Sequence, residues 1–264
     1  MPHPAVPPPA SASPQAERRR LPVLGVPIDV LTTAQAVDRI SVWASQRQSR
    51  SVCICNVHSV VTASRDPGFL QAIDAADMAT PDGAPVAWML RRQGAASQAR
   101  LSGPDLMLAY CVQAAARGEP IYLYGSTEAT LAALSERLRA RHPGLRIAGS
   151  HAPPFRPPTS DEDAADVQRI NASGAGTVWV SLGCPKQERW MAEHHGRVQA
   201  VMIGVGAAFD FHAGTVSRAP AWMREHGLEW LHRLASEPRR LWKRYLVTNT
   251  LFIVGAAAQL LGRR

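Results

Sequence analysis

The sequence predicts an α/β fold in which a mostly parallel sheet is flanked by helices and followed by a basic, then apolar, helical appendage. Short β-branched or apolar runs alternate with amphipathic stretches, which is the pattern of βαβ units. The 264 residues suffice for one large domain, and a hydrophobic content of 46% is ordinary for a globular protein. That content argues against both wholesale disorder and a polytopic membrane protein.

Two features of the chain favour a cytoplasmic location. Residues 1–20 are rich in Pro, Ala and Ser, lack the apolar run of a signal peptide, and are expected to form a disordered tail. The four cysteines form no Cys-x-x-Cys pair, and three of them fall in expected core segments. This usage is typical of small core residues in a reducing compartment.

Five strands are expected along the chain, at residues 51–55, 120–124, 145–149, 177–182 and 200–205. Helices fill the gaps, notably at residues 104–117, 127–142, 160–173 and 185–194. Pro104 and Pro185 each stand in an expected first helical turn, where proline is tolerated. This order predicts a Rossmann-like domain over residues 21–236.

The residues that follow the expected strands form the candidate site, because ligands bind outside the carboxyl ends of strands in open parallel sheets. Each cluster there contains polar residues or glycines: Asn56 and His58, residues 125–127, residues 183–188 and residues 206–210. Turn chemistry alone produces similar clusters, so that interpretation stays open for each one. Several clusters in register favour a binding site.

Asp82 stands in Pro81-Asp82-Gly83, a sequence with two interpretations. Pro-Asp-Gly is common in turns. Alternatively, the carboxylate is held at a strand end beside a helix, where it can accept a proton from a hydroxyl group. The residues alone leave both interpretations open.

Two glycine-containing segments bear on nucleotide binding. Gly125 opens a strand-to-helix link whose backbone N–H groups could face a phosphate. Residues 204–209 approach the dinucleotide fingerprint but place Phe209 where its third small residue belongs. An NAD-linked oxidoreductase is therefore disfavoured.

The acidic triplet Asp161-Glu162-Asp163 resembles the Asp-x-Asp that holds a divalent metal on a nucleotide. Thr159 and Ser160 precede it as good helix caps, and acids in a first helical turn are stabilised by the helix dipole. The helix-start interpretation is favoured, so we expect no metal and no cofactor.

The C-terminal segment carries most of the net charge of +8, since residues 230–264 contain seven basic residues and one acidic residue. The apolar run 246–261 spans 16 residues, fewer than the roughly 20 that a spanning helix needs. A helix lying on an anionic membrane surface is favoured over nucleic-acid binding. A helix packed on its own domain or on a partner subunit stays an alternative.

Five ordered motifs resemble the WecG/TagA/CpsF family, glycosyltransferase family 26, over about residues 21–245. They lie at residues 100–106 (RLSGPDL), 121–125 (IYLYG), 183–190 (GCPKQERW), 204–210 (GVGAAFD) and 227–240 (GLEWLHRLASEPRR). The resemblance implies an inverting, metal-independent enzyme that moves a hexose or N-acetylhexosamine from a UDP-sugar to a sugar on a polyprenyl pyrophosphate. Such enzymes act in bacterial exopolysaccharide and cell-surface polysaccharide biosynthesis.

The resemblance also implies roles for individual residues. Asp82 becomes the general base, and the other catalytic residues are Asn56, Arg100 and Gln187. Substrate binding falls to Gly125, Lys186, Asp210, Arg233, Arg240 and Arg244. Many members have Thr-x-Asn where this chain has Ile54-Cys55-Asn56, and Lys243 stays a rival to Arg244.

The expected organisation is a tail (1–20), a catalytic domain (21–236) and a membrane-associating appendage (237–264). The partners expected from the resemblance are a UDP-sugar, a polyprenyl-pyrophosphate-linked sugar and the inner face of the plasma membrane. The donor sugar, the spanning or surface position of the apolar run, and a homo-oligomeric state stay open. A non-catalytic nucleotide-binding scaffold of a polysaccharide assembly complex is the alternative function.

Overall fold

The computed structural model describes residues 18–262, apart from the side chain of Arg240. Its strands are β1 (Arg20–Val23), β2 (Val26–Asp29), β3 (Arg50–Cys55), β4 (Met78–Pro81), β5 (Pro120–Gly125), β6 (Arg146–His151), β7 (Thr177–Ser181) and β8 (Val201–Gly204). Its helices up to β8 are α1 (Thr33–Ser45), α2 (Val57–Ala63), α3 (Pro67–Asp74), α4 (Ala84–Arg92), α5 (Gly103–Arg117), α6 (Glu128–Arg141), α7 (Ser160–Ala172) and α8 (Lys186–Glu193). The remaining helices are α9 (Ala208–Ala213), α10 (Ala221–Glu225), α11 (Glu229–Ser236) and α12 (Pro238–Leu260).

The predicted α/β fold is confirmed. Six strands form one sheet in the order β4-β3-β8-β7-β5-β6, and every neighbouring pair in it is parallel. The five predicted strands are all present, with small shifts at their ends. The sheet therefore presents all its carboxyl ends at one edge, as the βαβ pattern requires.

The antiparallel hairpin of β1 and β2 was not predicted. Its turn consists of Leu24 and Gly25, which both adopt positive φ (51° and 81°), the geometry of a two-residue hairpin turn. Arg18 lies before the hairpin and makes two hydrogen bonds, of 2.7 and 2.9 Å, to the Asp29 carboxylate. The prediction that residues 1–20 form a disordered tail is thus wrong for residues 18–20. Residues 1–17 lie outside the described part of the chain.

The core lies on both faces of the sheet, because successive strand side chains alternate between faces. In β3, for example, Cys53 and Cys55 join one buried cluster and Val52 and Ile54 join the other. The second cluster contains Trp179, whose ring centroid lies 5.5 Å from that of Tyr110. These two clusters hold the strand ends rigidly in place.

Helix α12 begins next to the expected boundary at residue 237 and packs on the domain. Phe252 and Ala256 are buried in the same cluster as Cys53. Gln259 accepts a hydrogen bond from the Leu24 N–H (2.8 Å) and donates one to the Pro22 carbonyl (2.8 Å). The alternative of a helix packed on its own domain therefore holds for this face.

Nearer its start, the α12 surface exposes the large apolar side chains of Trp242, Leu246 and Val247. Several large apolar side chains exposed on one helix are typical of an interaction site. None of the helices described between residues 18 and 262 has the length and apolarity that a membrane span requires.

Candidate active site

A cavity of about 810 Å³ opens at the carboxyl edge of the sheet. Its walls come from the segments after β3, β4, β7 and β8, and from α11 and α12. Its position agrees with the strand-end rule for parallel sheets. Six of the ten predicted site residues line it: Asn56, Asp82, Arg100, Gln187, Arg233 and Arg244.

Asp82 directly follows β4, and its N–H donates to the Cys55 carbonyl at the end of neighbouring β3 (3.0 Å). The pKa of its carboxyl is raised to about 6, first by burial and then by the negative charge of Glu229. The charge of Arg100 and hydrogen bonds from the Gly83 N–H and the Asn56 side chain oppose that rise. The residue is thus placed at a strand end, with a pKa close to neutral pH.

Asn56 caps α2, since its Oδ1 accepts a hydrogen bond from the Ser59 N–H (3.1 Å). Because Oδ1 faces Ser59, the amide Nδ2 is the atom that donates to the Asp82 carboxyl. The start of α2 therefore fixes the orientation of a group that contacts Asp82.

Arg100 lies against the first residue of α11. Its Nη1 is 3.0 Å from Glu229 Oε2, and the other Glu229 oxygen, Oε1, is 3.4 Å from Arg218 Nε. Arg218 in turn makes hydrogen bonds of 2.7 and 2.9 Å to the Asp105 carboxylate. This charged cluster attaches the start of α11 to the start of α5, beside Asp82.

Sequence reasoning assigned no role to Glu229, Asp105 or Arg218. Glu229 nevertheless lies in the motif 227–240 and Asp105 in the motif 100–106, both of which carried the family resemblance. Their place in these motifs was the signal that could have identified them. Arg218 lies outside every motif, and its pairing with Asp105 follows only from the folded arrangement.

Gln187 is buried, and both ends of its amide are engaged. Its Oε1 accepts from the Gly206 N–H (3.1 Å), and its Nε2 donates to Glu188 Oε1 (2.9 Å). The Gly206 carbonyl accepts from Ser181 Oγ (2.8 Å), so the peptide units around Gly206 are held from both sides. Glu188 is buried as well, which raises its pKa. Gln187 thus positions the turn between β8 and α9.

Arg233 and Arg244 bring two guanidinium groups to the cavity wall. Arg233 lies 5.5 Å from the ring centroid of Phe211, and Arg244 lies 5.5 Å from that of Tyr245. In the described structure, the Nε atom of each is buried and has no hydrogen-bond partner. Burial and then the Arg244 charge lower the pKa of His58, which also lines the cavity.

Three of the other predicted residues lie at the same edge of the sheet but do not line the cavity. A Cβ at Gly125 would clash with the Ser181 carbonyl oxygen, so glycine is needed for the close approach of β5 and β7. Lys186 is exposed at the start of α8, and Asp210 is half-buried in α9. Arg240 belongs to α12, but its side chain lies outside the described residues.

The acidic triplet forms the first turn of α7, as the helix-start interpretation predicts. Thr159 and Glu162 make a reciprocal capping box. The Asp163 carboxylate contacts His194 Nε2 (2.8 Å) and Arg197 (2.6 Å). These acids therefore stabilise a helix start and its packing on α8.

One comparison with known proteins bears on the site. The family model described as the glycosyl transferase WecG/TagA/CpsF family matches residues 21–264. The matched range includes every residue of the described cavity wall and almost the whole chain.

Proposed function

The chain belongs to the WecG/TagA/CpsF family of glycosyltransferases, and we propose that it inverts the anomeric centre of a UDP-sugar during transfer. The acceptor is a sugar already attached to polyprenyl pyrophosphate. The transferred group is a hexose or N-acetylhexosamine, and the product is an intermediate of a bacterial exopolysaccharide or other cell-surface polysaccharide.

The observation that supports this proposal most is the environment of Asp82. Its carboxyl lies in the cavity wall with a pKa raised to about 6 and is contacted by Asn56. At neutral pH such a group is mostly ionised yet basic enough to take a proton, which is the balance that general-base catalysis requires. The residue therefore suits deprotonation of a sugar hydroxyl.

The reaction is a single displacement. Asp82 takes the proton of the acceptor hydroxyl while that oxygen attacks the anomeric carbon from the face opposite UDP. A carbon–oxygen bond to the acceptor forms as the bond from the anomeric carbon to the phosphate oxygen breaks. UDP departs with the bonding electrons, and the configuration is inverted.

Arginines stabilise the charge that develops on the departing pyrophosphate. Arg233 and Arg244 line the cavity, and guanidinium groups match phosphate oxygens in shape and remain charged at any relevant pH. Electrostatic stabilisation of this kind can replace a divalent metal. Arg240, by its place at the start of α12, is a third candidate for this role.

The surface of α11 and α12 supports action at the inner face of the plasma membrane. It combines exposed apolar side chains with the exposed basic residues Arg239 and Lys243. Such a surface binds anionic bilayers through burial of its apolar side chains and through attraction of its basic side chains to the lipid headgroups. We therefore place the protein in the cytoplasm, attached peripherally to the membrane.

Release of UDP from a panel of UDP-sugars, with and without a lipid-pyrophosphate sugar acceptor, tests the proposal. The expected result is release that depends on the acceptor, together with a glycosylated lipid product. Binding of UDP-sugars with no acceptor-dependent release would instead indicate a nucleotide-binding scaffold.

A further inference from the structure

One face of α12 forms a wall of the cavity along most of the length of the helix. The residues that contribute are Arg244, Tyr245, Thr248, Asn249, Phe252, Ile253, Ala256, Ala257 and Leu260. They form two neighbouring rows along the helix, each with a spacing of four residues, one from Arg244 to Leu260 and one from Tyr245 to Ala257. At about 1.5 Å of rise per residue, this stripe extends over roughly 24 Å.

The chemistry of the stripe changes along its length. The part nearest the start of the helix carries a guanidinium, a phenol, a hydroxyl and an amide. From Phe252 to Leu260, every residue that lines the cavity is apolar. A ligand that matches the whole stripe is therefore anionic or polar at one end and apolar at the other.

The apolar half of the stripe is open to a ligand. The side chain of Ile253 is 67% exposed and that of Leu260 is 41% exposed, although both line the cavity. Ala257 is also exposed and leaves space beside them. A sugar nucleotide has no apolar chain to cover such a surface, so this half of the stripe is suited to another ligand.

We propose that the segment of α12 from Phe252 to Leu260 binds the lipid chain of the acceptor. The inference rests on the proposed function and extends it. The acceptor pyrophosphate lies at the polar end of the stripe, where Tyr245 and Asn249 line the cavity. The first isoprene units run along the apolar half of the stripe and leave the cavity past Leu260. Continuity of this surface with the cavity that contains Asp82 and Arg244 favours an acceptor lipid over an unrelated apolar ligand.

Two tryptophan substitutions on α12 provide a matched test. Ala257→Trp places a large ring in the apolar half of the stripe. Val254→Trp adds the same ring at a position that is 62% exposed and does not line the cavity. Comparison of the two separates obstruction of the stripe from a general effect of an added aromatic group.

The first measurement is kcat/KM in detergent for two acceptors with the same sugar pyrophosphate, one carrying a single isoprene unit and one carrying several. We expect wild type and Val254→Trp to favour the longer acceptor to the same extent. Ala257→Trp should lower that preference about tenfold or more, since each buried methylene group contributes to binding. An unchanged preference in Ala257→Trp would overturn the proposal.

The second measurement is equilibrium binding of radiolabelled farnesyl pyrophosphate, with inorganic pyrophosphate as competitor. It needs no sugar transfer, so it is independent of the proposed reaction. Weaker binding by Ala257→Trp, but not by Val254→Trp, supports the lipid site even where no transfer is found. Equal binding by both variants would refute it. A changed sedimentation coefficient in Ala257→Trp would also refute it, because it would show that this surface contacts a second copy of the chain.

Discussion

Asp82→Asn should abolish transfer while making the protein more stable at neutral and alkaline pH. The amide keeps the size of the carboxyl and retains the ability to accept the Gly83 and Asn56 hydrogen bonds, but it cannot take a proton. The loss of a general base typically lowers the rate about 10²- to 10⁴-fold. The gain in stability follows from the cost of holding a buried charge.

The size of that gain follows from the pKa of Asp82, which is raised from 3.8 to about 6. Between these two values the folded chain binds more protons than the unfolded chain, so the free energy of unfolding falls as pH rises. At about 1.4 kcal/mol per pH unit, the cost of the charge reaches about 3 kcal/mol at pH 8 and about half of that at pH 5. The asparagine variant avoids this cost.

Urea unfolding of both proteins at pH 8 and pH 5, together with the transfer rate, measures both effects. Asp105→Asn is the matched control. Burial alone would raise the Asp105 pKa, but hydrogen bonds from Arg218 and Ser102 outweigh burial and lower it to about 2. The control should therefore lose stability at pH 8.

Two results would refute the reasoning about Asp82. An Asp82→Asn variant no more stable than wild type at pH 8 would show that the carboxyl carries no burial cost. A variant that keeps more than about a tenth of wild-type kcat on the natural acceptor would show that Asp82 is not the base, because a positioned base contributes far more.

Four further outcomes are expected. Wild-type kcat/KM should rise about tenfold per pH unit below about pH 6 and then level off. UDP release measured from pH 5 to pH 8 checks this, and a rate that falls over the range would show that Asp82 acts as an acid. Glu229→Gln removes a charge that raises the Asp82 pKa, so the acidic limb of the same profile should move to lower pH, and an unmoved limb would contradict this contact. EDTA should leave transfer undiminished, because Asp163 is engaged with His194 and Arg197, whereas strong rescue of a chelated enzyme by Mn²⁺ would count against arginine stabilisation. Arg244→Ala should slow transfer to a water-soluble acceptor about 10²- to 10³-fold, and an undiminished rate would leave Arg244 with no part in the reaction.

Much of the fold could be predicted because its signals are local. The strands β3, β5, β7 and β8 are short apolar runs between amphipathic helices, and that pattern alone identifies them. The β1–β2 hairpin gave no such signal, since each strand has four residues and contains a proline. Its turn places Leu24, rather than the usual Asn or Gly, at positive φ.

The candidate site was predictable only in part, for a physical reason. Asn56 and Gln187 follow two of the predicted strands, so their position at the sheet edge can be read from the order of the elements. Asp82 follows β4, which was not among the five predicted strands. Glu229 could not be placed beside Arg100 in this way, because the two are separated by 129 residues in the chain. Their contact depends on how α11 docks, which no local pattern specifies.

The hydrogen bond between Leu24 and Gln259 limits how early the N-terminal hairpin can complete its packing during synthesis. Domains begin to fold from the N-terminus while synthesis continues. The hairpin turn at Leu24 is therefore synthesised long before Gln259, which accepts its N–H. Phe252, which completes part of the first core cluster, also emerges late. The earliest strands thus reach their final packing only after the last turn of α12 has left the ribosome.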